Sequence, residues 1–89
     1  MLKPEILRVL EREQRMCETA ISRLEERARP WEDEYGWSTT LFLEKFNSGE
    51  AGDELIFFQW YAVAEAIKDW QKTYTSLNEL LTGAELIYA

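Results

Sequence analysis

Eighty-nine residues, 46% hydrophobic and 13% aromatic with two prolines and four glycines, describe one small folded domain and exclude a disordered chain. A net charge of −7 sets the chain as a whole against the nucleic-acid backbone. The absence of histidine removes the commonest general base and the commonest transition-metal ligand.

The charge is unevenly spread. Residues 1–29 hold seven basic and six acidic side chains, whereas residues 30–89 hold three basic and eleven acidic. The second part should therefore favour basic partners through long-range steering, beside the general role of acidity in keeping a small protein soluble. The longest apolar runs, 55–58 and 60–64, are far too short to cross a bilayer. Glu5 and Arg8 break up the first ten residues, which do not read as a signal peptide. One cysteine, Cys17, cannot form an internal disulfide and suits a reducing cytoplasm.

In chain order, a long helix is expected over 4–29. Pro4 is acceptable in its first turn, where the missing amide hydrogen would have no partner anyway. Its apolar stripe is Ile6, Leu10, Cys17, Ile21, Leu24 and Ala28, widened by Leu7, Val9, Met16 and Ala20. The other face is charged, with Glu11 and Arg15, and Glu25 and Arg29, at the favourable i, i+4 spacing. Pro30 should kink the helix or begin a new turn. The stripe nevertheless continues in phase through Trp31 and Tyr35, and Glu32, Asp33 and Glu34 fall where a helix dipole favours negative charge. Gly36 should end this piece.

Ser38 or Thr39 caps a short helix over 39–47, apolar through Leu41, Phe42, Leu43 and Phe46. Residues 47–53 are the stretch richest in turn formers, and at least one of Gly49 and Gly52 should adopt a positive φ. A second long helix is expected over 54–81, capped by Asp53. Its residues Ile56, Trp60, Val63, Ile67, Trp70, Tyr74, Leu77 and Leu81 recur at alternating steps of four and three, the spacing of a helical seam. Gly83 should end that helix in a left-handed conformation and release a short apolar tail over 84–89. The fold expected is all-α, an antiparallel helical hairpin of two long helices with a short intervening helix. Because neither long helix can cover the apolar width of the other, the hairpin is expected to pair into a homodimeric helical bundle.

Chemistry-bearing constellations are sparse. Cys17 has no histidine partner and lies on the apolar stripe, so it reads as a small core residue. The 48–54 loop has carboxylates and glycines but lacks the alternating ligands and closing glutamate of a calcium loop. Glu65 and Asp69 are one turn apart, yet no histidine completes a dinuclear metal set. The aromatic residues of the last helix could in principle stack nucleobases, but at heptad spacing in an acidic segment they read as core. No catalytic residue, cofactor or metal is assigned, and the chain is not expected to be an enzyme.

Tyr35-Gly36-Trp37-Ser38-Thr39, followed by Phe42, Lys45-Phe46, Gly49-Glu50, Gly52-Asp53-Glu54, Phe57 and Trp60, resembles a pattern in short prokaryotic proteins, some of which look like antitoxin components encoded beside small toxins. The resemblance covers roughly residues 31–72. Trp37 stands where that pattern has methionine, and Pro30 departs from it. What the resemblance implies is toxin binding, with no catalytic residues carried over. The expected role is a small acidic cytoplasmic interaction protein, an antitoxin-like inhibitor of a basic toxin. The alternative is a scaffold whose oligomerisation is its role. Glu32, Asp33, Glu34, Glu50, Asp53 and Glu54 would form an acidic rim, and Leu86, Ile87 and Tyr88 part of an apolar anchor. Neither a membrane nor nucleic acid is an expected partner.

Overall fold

The structure, a computed structural model, describes residues 3–88, and side chains through residue 83. Three helices follow in order: α1 (Pro4–Tyr35), α2 (Thr39–Asn47) and α3 (Leu55–Tyr88). The two long helices run antiparallel as a hairpin, and α2 covers one side of its closed end. The molecule is a rod of 51 × 22 × 17 Å. Its long dimension is that of the long helices, 32 and 34 residues at about 1.5 Å each.

α1 is continuous through Pro30 to Tyr35, where the sequence suggested that the long helix would end at residue 29. Proline removes one helical hydrogen bond and crowds the preceding turn, at a cost of about 3 kcal/mol. Pro30 is exposed on the outer face, so the carbonyl it leaves unpaired is open to water. Trp31 and Tyr35, one residue and five residues later, are packed into the core and hold the helix in phase across it. The helix ends at Gly36, left-handed with φ 70°, whose amide donates to the Glu32 carbonyl at 2.9 Å. The packed face of α1 differs from expectation at its start. Ile6 is exposed, and Leu7 with Leu10, Gln14 and Cys17 continues the face toward α3.

Ser38 caps α2, its hydroxyl accepting from the Leu41 amide at 3.0 Å. Gly49 and Gly52 both have positive φ, 82° and 98°, and together they turn the chain from α2 into α3. α3 begins at Leu55, so Glu54, and not Asp53, precedes the first helical residue. At its other end α3 does not stop at Gly83. The helix continues to Tyr88, and Gly83 is not among the positive-φ glycines. A glycine inside a helix costs only about 1 kcal/mol relative to alanine, less than the gain from continuing a regular hydrogen-bonded helix. The anticipated free tail is thus helical backbone, and the side chains of Leu86, Ile87 and Tyr88 lie outside the described residues.

The register of the hairpin is constant. Tyr35 meets Phe57, Trp31 meets Trp60, and Gln14 Nε2 donates to Asn78 Oδ1 at 3.3 Å; the paired residue numbers have the same sum to within one. That is the behaviour of two uninterrupted helices with heptad seams. Of the expected α3 seam, Trp60 and Val63 are buried and Ile56, Ile67, Tyr74, Leu77 and Leu81 are half-buried. Trp70 is the exception, at 38% exposure. It stands at the edge of the stripe on the flank away from α2. A layer one helix thick covers only side chains near the line between the two helices.

Candidate functional site

The closed end of the hairpin is an aromatic cluster. Trp60 and Phe42 are both fully buried and stack face to face, ring centroids 4.0 Å apart with planes 3° from parallel. Trp31, Tyr35, Trp37 and Phe57 surround this pair at centroid distances of 5.1–6.4 Å from one another or from Trp60. Such rings bury large apolar areas and gain a further increment from their mutual geometry.

A chain of hydrogen bonds ties the three helices across this cluster. The Trp60 indole Nε1–H donates to Thr39 Oγ1 at 3.1 Å. The Thr39 hydroxyl donates in turn to Glu32 Oε2 at 3.0 Å, and the Thr39 amide donates to the same oxygen at 2.8 Å. Glu32 therefore satisfies one of the free amides of the α2 N-terminus, where a carboxylate is electrostatically favoured. Its half-buried carboxylate has a structural task. No buried side-chain nitrogen or oxygen among the described residues lacks a partner.

The remaining rim residues sit around the outer edge of the same end. Tyr35 Oη donates to Glu54 Oε2 at 3.3 Å. Partial burial, and then the negative charges of Glu34 and Glu54, push the Tyr35 phenol above its ordinary range. Lys45 lies 5.4 Å from the centre of the Trp37 ring and 3.8 Å from a Glu50 carboxylate oxygen. Asp33, Glu34, Asp53 and Glu54 are exposed. Folding thus brings Glu34 and Glu54 together around Tyr35 and ties Glu50 to Lys45, while Glu32, half-buried, is bonded to Thr39 at the start of α2.

Two residues that the sequence reading did not single out stand beside this rim. Leu55 is 76% exposed and Phe58 is 52% exposed. Phe58 makes an edge-to-face contact with Phe46, which itself stacks on Tyr61. Leu55 directly follows Glu54, and Phe58 lies one turn further on. The signal for them was present. Residues 55–58 are apolar without a break, more than one side of a helix can bury.

A groove of about 460 Å³ opens on the α2 side of the hairpin, lined by Glu25, Arg29, Thr40, Lys68 and Gln71 among others. It is of mixed polarity, and the carboxylate of Glu32 already occupies the α2 amide it borders. Cys17 is buried, and burial foremost, with the Glu13 charge next, raises its thiol pKa, which disfavours the reactive thiolate. Among the described residues no cluster of three or more potential metal ligands forms. None of the described helices is long and apolar enough to cross a membrane.

The sequence matches no protein-family model. Comparison with curated proteins and with solved structures also returns no match.

Proposed function

We propose that this chain is a small interaction protein that binds a basic partner protein through the closed end of its hairpin. The observation that carries this reading is the exposure of Leu55 and Phe58 immediately beside Asp53, Glu54 and Glu50. An apolar anchor with a charged rim is the usual composition of a binding surface: the anchor sets the dissociation rate and the rim steers approach. The aromatic cluster beneath holds both in place, so the surface is pre-organised and loses little entropy on binding.

The resemblance of residues 31–72 to antitoxin components makes a basic toxin the partner class proposed, with the cytoplasm as the setting. A binding protein of this kind needs no cofactor and no reaction. In this reading Leu55 and Phe58 take the anchoring role first expected of Leu86, Ile87 and Tyr88, and Asp33, Glu34, Glu50, Asp53 and Glu54 form the rim.

The test is binding to the purified product of the neighbouring gene, measured by surface plasmon resonance. Phe58→Asp with Leu55→Asp should speed dissociation by roughly a hundredfold, as expected for loss of an anchor. Reversal of Glu50, Asp53 and Glu54 to lysine should slow association and flatten its salt dependence. Unchanged kinetics in both variants would remove this end of the molecule as the binding surface.

A further inference from the structure

We draw no further inference here: the strongest candidate, the exposed apolar flank of the α1–α3 pair turned away from α2, with Ile6, Val9, Met16, Trp70 and Leu80, carries nothing because nothing in the structure shows what covers it.

Discussion

Two halves of one hairpin are built by different means. Toward its closed end three helices converge, and Ala28, Phe42, Phe57, Trp60, Val63 and Ala64 are fully buried there. Toward its open end two helices lie side by side, and Cys17 alone among the described residues is fully buried. The seams are equally regular in both halves, and the polar pair Gln14–Asn78 keeps the open half in register. What differs is the third element. Two helices cover a line; a helix laid across them is needed to close a core around aromatic side chains. Stability should therefore be concentrated at the closed end, which is also where the proposed partner site is mounted. The open half keeps Ile6, Val9, Met16, Trp70 and Leu80 exposed.

The largest expected contrast is between two tryptophans on the same helix. Trp60→Ala removes a fully buried ring from the centre of the cluster and should cost about 3–5 kcal/mol. Trp70→Ala removes a ring at the edge of the two-helix layer and should cost about 1 kcal/mol. Urea denaturation at submicromolar protein, where self-association does not contribute, compares them. Equal losses would mean that the open half is as tightly built as the closed half.

Next in size is the hydrogen-bond chain that fastens α2. Thr39→Val keeps the shape but leaves the Trp60 N–H without its acceptor and deprives Glu32 of one donor. The expected loss is about 1–3 kcal/mol. The Glu32→Gln variant should lose less, since an amide oxygen still accepts from the Thr39 backbone. A neutral Thr39→Val would show that α2 is held by apolar packing alone.

Smallest are the glycines that separate a helix end from a helix interior. Gly36→Ala forces a left-handed backbone on alanine and should destabilise by about 1–2 kcal/mol. Gly83→Ala should stabilise by up to about 1 kcal/mol, because its position is helical and open space surrounds the added methyl. Destabilisation by Gly83→Ala would restore Gly83 as a helix stop.

The helices and their turns were legible in the sequence because each is marked locally. Heptad spacing gave the two long helices, Ser38 with Gly36 gave the break between α1 and α2, and Gly49 with Gly52 gave the reversal into α3. As helix ends Pro30 and Gly83 misled for one reason: local preferences worth about 1–3 kcal/mol yield to packing and to the continuation of a hydrogen-bonded helix. Trp70 misled because a count of apolar spacing finds the stripe but not its width. At the candidate site, the acidic residues were visible as a list but not by role. Nothing in the spacing from Glu32 to Thr39 says that this carboxylate caps α2 while Glu54 accepts from Tyr35. That distinction depends on α2 folding back over the hairpin, a long-range event. Leu55 and Phe58 lie in an apolar run wider than one helix face, and spacing alone does not say which of its members α2 covers.

The difference between the two halves is measured most directly by native-state hydrogen exchange of the dilute monomer, resolved along α1 and α3. Amides of residues 24–35 and 57–67 should exchange only through global unfolding, with protection that tracks the denaturant-derived stability. Those of residues 7–14 and 74–81 should exchange through smaller openings, at free energies well below the global value. Protection that is uniform from one end of the rod to the other would contradict the account, since it would mean that two helices without a third element hold as firmly as the three-helix end.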